Sequence, residues 1–339
     1  MYFTTPGTRV SLVRERLRVE IPSGEGESAS DQANEPQIKE VQLSDVERVL
    51  LHESISMTIP ALGELMRRDI PVVLASGEGR ILGLCQPPAP HSTARLAQYR
   101  RAGEKAFALS LAVNWVEAKI LNSRRVLQRL SANRDDVEIT PDLLALQQLA
   151  EAALKAASTE TLRGYEGTAA GRYFECLAAL FPPESPFERR SRLPPHNPAN
   201  AVLSYAYTLL AGEAEAGLHA IGLDPTIGFY HEPEDRRASL ALDIIEPFRA
   251  PLADAMAIDL FSHGILNPAS HFTPANGGIY MNNEGKRRFF TGYERRMERE
   301  YNSEQIGTRT SLRRELQRQC QLVKKAIIEG EPFQPFLMN

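Results

Sequence analysis

The apolar residues of this chain change period once, at the proline cluster "CQPPAPHS" of residues 85–92. Prolines there can extend neither a strand nor a helix, so the two sides must fold by different rules. Before the cluster the pattern is short and alternating. In "RLRVEIP" Leu17, Val19 and Ile21 alternate with Arg18 and Glu20, the period of a half-buried strand. "VQLSDVERVLLH" continues the extended pattern, and "IPVVLASGEGRILG" reads as two strands about a glycine-containing turn. "MTIPALGELMRR" predicts a short helix with Thr58 as cap and Pro60 in the first turn, where a missing amide hydrogen is harmless. The Gly, Ser and acidic stretch Ser23 to Pro36 is expected to be a mobile hairpin tip.

Beyond the cluster the period is helical. "RRAGEKAFALSLAVNWVEAKILNSRRVLQRL" is one long amphipathic segment, and the apolar residues of "ITPDLLALQQLAEAALKAA" also recur every three to four positions. A proline-rich connection, "FPPESPFERRSRLPPHNPAN", leads to a further helical run, "AVLSYAYTLLAGEAEAGLHAIGL". The expected fold class is therefore α+β: a β-rich domain over residues 1–90, then a larger all-α domain over 91–339. Residues 91–98 are expected to form a linker and 331–339 an apolar tail.

With 339 residues, 42% of them hydrophobic and 24% charged, the chain has the composition of a soluble protein of about two domains. No leader pattern opens it and no apolar run approaches a membrane span, so a cytoplasmic protein without membrane contact is expected. Cys85, Cys176 and Cys320 are far apart and form no CxxC pair, which excludes a zinc ribbon and a disulfide framework and predicts buried or idle thiols. A formal charge of -4 excludes nucleic-acid binding by bulk charge. Local charge is another matter, since arginines and lysines outnumber the interspersed glutamates from Lys286 onward.

Two stretches carry chemistry. In "GYEGTAAGRYFECLAALF" the helical stripe from Glu166 runs through Ala169, Ala170, Tyr173 and Leu177, so a carboxylate sits where an apolar residue belongs. In "GLDPTIGFYHEPEDRRASLALDIIEPFRAPLAD" His231 closes a short apolar run, Ser239 is a candidate helix cap, and Asp243 and Glu246 are three apart among Leu240, Leu242, Ile244 and Ile245. Two carboxylates in apolar company repel unless a cation or proton intervenes. Glu166, His231 and Glu246 offer two hard oxygens and one imidazole, a set suited to Mg2+ or Mn2+. Plainer roles exist: Glu166 can be a snorkelling or hydrogen-bonded core residue, His231 a satisfied structural histidine, Asp243 and Glu246 can pair with Arg236, Arg237 or Arg249, Asp224 of "LDP" can cap a turn, and His219 can simply pack within its helix.

"GYEGTAAGRYF", "LPPHNPANAVLSYAYTLL", "GLDPTIGFYHEP" and "SLALDIIEPFR", in this order, resemble the CRISPR-associated integrase family called Cas-one. So do "SISMTIPALGELMRRDIPVVLASGEGRILG" and "GGIYMNNEGKRRFFTGYERRM". The resemblance implies Glu166, His231 and Glu246 as metal ligands and catalytic residues, Asp243 as a further important acid beside them, and a less certain role for Asp254. It implies a metal-dependent DNA endonuclease and integrase that inserts spacer DNA into a CRISPR array, the 3'-hydroxyl of one DNA attacking a phosphodiester of another. It further implies double-stranded and branched DNA as substrate, a homodimer formed through the strand-rich domain, and a small partner called Cas-two bridging two dimers. Phosphate contacts are then expected first from Arg287, Arg288, Arg295 and Arg296, and second from Arg189, Arg190 and Arg192. Two departures stand out: Asn197 replaces a common aspartate, which bears on a structural hydrogen bond, and Ala250 shifts a proline by one place, which bears on how the helix after Glu246 bends. The tail "PFQPFLMN" can dock on the partner or pack on its own domain. The competing functions are integration of a related mobile element and non-catalytic DNA bridging.

Overall fold

A computed structural model describes residues 1–3, 5–22, 36–76, 81–85, 87, 92–132, 134, 137–191 and 194–339. The chain divides into two compact units, Met1–Pro88 and Ala89–Asn339. The expected hairpin tip lies outside the described residues except for Pro36, as does the turn at 77–80.

The first unit contains β1 (Tyr2–Phe3), β2 (Arg9–Val13), β3 (Arg16–Ile21), β4 (Gln37–Gln42), β5 (Val49–His52), β6 (Ser56–Met57), α1 (Ile59–Arg67), β7 (Val72–Ala75) and β8 (Ile81–Cys85). They form two four-stranded sheets, ordered β4-β3-β2-β6 and β1-β5-β7-β8. The alternation of β3 places Leu17 and Val19 inside, paired with Leu12 and Val10 of β2. Val10, Leu17, Val49, Ala61, Leu65 and Val72 meet in one core, which takes the apolar face of α1. The Thr58 hydroxyl accepts the Ala61 amide and Pro60 occupies the first turn, so α1 starts where its sequence says it should.

The second unit contains α2 (Ser92–Ala102), α3 (Lys105–Ser131), α4 (Thr140–Leu154), α5 (Thr159–Leu180), α6 (Pro198–Ala220), α7 (Ser239–Ile245), α8 (Ala255–Ser262), β9 (Phe272–Ala275), β10 (Gly278–Met281), α9 (Asn283–Glu298), β11 (Tyr301–Asn302), β12 (Arg309–Thr310) and α10 (Leu312–Glu329). It is mostly helical, but two small antiparallel ribbons, β9–β10 and β11–β12, interrupt the expected all-α character. The first is turned by Asn276 and Gly277, both at positive φ (47° and 74°), the pairing that a two-residue hairpin requires. Residues 92–98, expected as linker, belong to α2. Gln98 explains why: its fully buried amide donates to the carbonyls of Asp224 and Ile227 and accepts the Asp224 amide.

The long amphipathic segment is two helices, α2 and α3, broken at Gly103 and Glu104. Asn197 caps α6, its side chain accepting the Asn200 amide at 2.8 Å with Pro198 following, so the amide replaces the expected acid without loss of the cap. Arg313 of α10 is buried and reaches Glu213 of α6 at 3.3 Å and Glu294 of α9 at 2.6 Å, joining three helices. Cys176 and Cys320 are buried in this unit, whereas Cys85 is half-buried on β8 of the other.

The tail 331–339 packs on its own unit. Phe336 stacks on Phe248 at 4.6 Å, and Phe333 meets the edge of Trp115 at 5.4 Å. Asn122 of α3 ties them to the helical framework: its amide donates to the carbonyls of Pro247 and Phe336, and its oxygen accepts the Met338 amide.

Candidate active site

Helix α5 begins at Ser158, whose hydroxyl accepts the Thr161 amide, and buries Leu162, Ala169, Tyr173 and Leu177. Glu166 lies on the same stripe, with a fifth of its side chain exposed. One of its oxygens accepts the hydroxyl of Tyr230, and the other accepts Lys119 Nζ of α3 at 2.5 Å.

His231 is set by a tight loop wrapped over Asp243. A side chain at Gly228 would place its Cβ 2.5 Å from the His231 carbonyl and 3.0 Å from Asp243 Oδ2, so only glycine fits. Asp243 is fully buried and accepts the amides of Phe229 (2.8 Å), Tyr230 (3.1 Å) and His231 (2.9 Å). It also faces His231 Nδ1 at 2.7 Å. A carboxylate accepts from Nδ1 here, which fixes the orientation of the ring and leaves Nε2 on the side of Glu246. Asp243, expected among the catalytic residues, thus stands behind the histidine as a positioning residue. Ser239, expected as a cap, is the first residue of α7 and donates its hydroxyl to the Glu232 carbonyl.

Glu246 follows α7 in a tight 3-10 turn, Glu246–Phe248, after which the chain widens into a π-helical turn over Arg249–Asp254. Pro247 and Pro251 lack the amide hydrogens that would keep this stretch α-helical. Glu246 is 3% exposed. Its Oε1 lies 3.1 Å from Arg249 Nη2 and 3.9 Å from His231 Nε2. Its Oε2 lies 2.7 Å from Lys119 Nζ, close enough for an ion pair but not aligned for a hydrogen bond. Burial opposes its charge, but Arg249, Lys119 and His231 outweigh that and hold the carboxyl well below its ordinary range. Burial likewise opposes the Lys119 charge, and Glu246 and Glu166 override it, raising the ammonium above its usual value. The Tyr230 phenol is pushed upward by burial and by Glu166.

Glu166, His231 and Glu246 therefore come together from three distant segments, with one ammonium reaching both carboxylates. No three His, Cys, Asp or Glu side chains among the described residues are close enough to hold a metal ion. The chemistry of the donor set nevertheless suits a divalent cation: two carboxylates and an imidazole whose ring is held by Asp243. The plain reading of Arg249 as partner of Glu246 also holds, whereas Arg237 pairs with Glu234. Beside the carboxylates a cavity of about 240 Å³ is lined by Lys119, Glu166, Arg190, Tyr207, Arg249 and Asp254, among others. Buried Asp254 accepts the hydroxyls of Tyr173 and Tyr207 there, and burial raises its carboxyl.

The expected phosphate contacts divide. Arg295 is exposed on α9 and shares a shallow depression with Arg287 and Arg288, both of which hold Glu284. Arg189 is exposed. Arg296 instead donates to the Pro251 carbonyl and to Asp259, so its guanidinium is a strut beneath the π-helical turn rather than a surface contact. Arg190 is similarly engaged, with Asn200, Ser204 and the Ser191 carbonyl, over the Tyr207 ring. Arg192 lies outside the described residues. Asp224 accepts the Thr226 amide and hydroxyl, as a turn cap does. Lys119 and Tyr230 were not among the expected site residues. For Lys119 a signal existed: it lies on the α3 stripe of Ala112, Trp115, Ser123 and Val126, a charge among buried residues just as Glu166 is.

Residues 1–295 match the protein-family model described as CRISPR associated protein Cas1. The chain is 35% identical over 307 residues to a CRISPR-associated exonuclease Cas4/endonuclease Cas1 fusion of Geobacter sulfurreducens, covering 88% of this chain and 55% of that protein. It is 34% identical over 294 residues to a CRISPR-associated endonuclease Cas1 of Thermus thermophilus, covering 86% and 88% of the two chains. The chain thus spans little more than half the length of the fusion proteins it matches. Among solved structures, a Cas6-RT-Cas1–Cas2 complex superposes over all of this chain and 36% of its own, with a TM-score of 0.79 and 26% identity. The family match over most of the chain and the order of its motifs lead to one conclusion: this chain belongs to the CRISPR-associated Cas1 family.

Proposed function

We propose that the chain is a metal-dependent DNA integrase and endonuclease that joins a DNA 3'-hydroxyl to a phosphodiester of a CRISPR array. The observation that supports this reading is that one ammonium, of Lys119, reaches Glu166 at 2.5 Å and Glu246 at 2.7 Å, with His231 Nε2 3.9 Å from Glu246. No serine or cysteine nucleophile is needed, because the attacking oxygen comes from DNA. The hydroxyl oxygen bonds to phosphorus and gives up its proton, the bond from phosphorus to the departing 3'-oxygen breaks, and that oxygen takes a proton. One phosphodiester replaces another, so no external energy source is required.

Glu166, His231 and Glu246 would hold Mg2+ or Mn2+, which supplies a Lewis acid for the phosphate oxygens. Asp243 keeps the imidazole Nε2 turned toward Glu246, and Tyr230 holds the second oxygen of Glu166. Arg249, stacked on Tyr207 at 4.8 Å, keeps Glu246 charged. Arg287, Arg288, Arg295 and Arg189 are the surface cations available for phosphate contacts.

The same reading includes a homodimer through the strand-rich unit, Cas2 as the bridging partner, branched and double-stranded DNA as substrate, and action in the cytoplasm. The Cas1–Cas2 complex among its structural relatives supports the partner. No helix among the described residues is long and apolar enough to cross a membrane, in keeping with a DNA-directed role.

The test is joining of a branched DNA with Mg2+ or Mn2+, run beside a salt-titrated binding assay. Glu166→Ala or Glu246→Ala should abolish joining while DNA binding persists or tightens, since a negative charge beside phosphate is gone. A Glu166→Ala protein that joins DNA at the parental rate would leave the bridging scaffold as the better account.

A further inference from the structure

The proposed function gives no role to the lysine lodged between the two carboxylates. We infer that Lys119 is a resident counter-cation, which yields its place between Glu166 and Glu246 to the incoming metal and turns to the DNA phosphate, so that metal and DNA load the site together. This rests on the reading of Glu166, His231 and Glu246 as metal ligands and adds the order and coupling of their filling.

Glu166 and Glu246 share the Lys119 ammonium, and Glu246 also faces Arg249 at 3.1 Å. Carboxylates this enclosed require such partners. A divalent cation held by the same two carboxylates would need the place of an ammonium that lies 2.5 and 2.7 Å from them, and like charges so close repel strongly in surroundings that screen poorly. One cation must leave. Arg249 is held on three sides, by Glu246, by the Tyr207 ring and by burial. Lys119 is the movable one: its four-carbon stem is flexible and its side chain is one-fifth exposed.

It also has somewhere to go. The cavity of about 240 Å³ beside Glu166 opens next to Lys119, and its wall carries three cationic side chains, Lys119, Arg190 and Arg249, against two acidic ones, Glu166 and Asp254. A DNA phosphate drawn toward the metal supplies the negative charge that Lys119 loses on leaving the carboxylates. Each ligand thus removes an obstacle to the other, and such coupling is reciprocal.

The experiment measures Mn2+ binding to the full chain by titration calorimetry and electron paramagnetic resonance, with and without a branched DNA duplex, for the parent, Lys119→Met, Lys119→Arg and Glu246→Gln. The parent should bind Mn2+ weakly alone and about 10-fold or more tightly with DNA, within the usual span of coupled sites. Lys119→Met should bind Mn2+ tightly without DNA and lose most of that coupling. It should also melt earlier than the parent without metal and gain more from Mn2+, because two carboxylates are left facing each other. Lys119→Arg, which keeps the charge, should retain weak binding in the absence of DNA and thereby separates loss of charge from damage to the fold. Lys119→Met binding Mn2+ no better than the parent, with coupling intact, overturns the inference while the metal site stands. Glu246→Gln that leaves Mn2+ binding unchanged overturns the metal reading itself.

Discussion

At the scale of single residues, Asp243 and Tyr230 both touch the proposed metal ligands but do different work. Asp243 accepts three backbone amides and the His231 ring within a sealed loop. Asp243→Ala should therefore cost about 3–5 kcal/mol of stability through the donors it strands. In the protein that still folds, Mn2+ affinity should fall about 10- to 100-fold as the imidazole loses its orientation. Tyr230→Phe removes one hydroxyl donor from Glu166, and should cost about 1 kcal/mol with Mn2+ stoichiometry unchanged. Urea unfolding and Mn2+ titration of both variants check the contrast, and equal losses would count against it. Glu166 was legible in the sequence because a charge on an apolar helical stripe is an anomaly that periodicity reveals. Lys119 bore the same mark. The pairing between them was not legible, because it depends on how α3 lies against α5, and no local pattern encodes that.

At the scale of elements, the stretch from α7 through the π-helical turn carries Glu246 and is backed by the tail. Phe336 covers Phe248, and Asn122 holds the Pro247 carbonyl together with the tail backbone. Phe336→Ala should destabilise the helical unit by about 3–5 kcal/mol and weaken Mn2+ binding, although residue 336 contacts none of the proposed ligands. Trp115 is the chain's single tryptophan and meets Phe333, so its fluorescence during urea unfolding reports release of the tail directly. An unchanged midpoint would mean that the tail is a passenger. Strands β2 and β3, the capped helix α1 and the long helices were readable because period and caps are local. The division of the long segment at Gly103, the helical character of 92–98 and the π-helical turn were not. Each depends on tertiary partners, such as the Asp224 backbone that receives Gln98.

At the scale of the whole molecule, one hydrophobic core lies among the strands and another among the helices. The three thiols are distributed unequally between them. Burial pushes the Cys176 thiol up to about 11 and the Cys320 thiol up to about 12, which removes the thiolate that an electrophile needs. Cys85, half-buried at the end of β8, packs only partly against the core that contains Leu65. A maleimide should react with Cys85 first, leaving Cys176 and Cys320 until the helical unit unfolds. Leu65→Ala, by loosening the strand-rich core, should speed that first reaction roughly 5- to 30-fold for each 1–2 kcal/mol lost. Mass spectrometry of the labelled peptides distinguishes the sites, and early modification of Cys320 would contradict this order. The placement of its cysteines thus gives the native protein one addressable thiol, through which a dye or spin label can be fixed to the strand-rich unit while the carboxylate site remains chemically untouched.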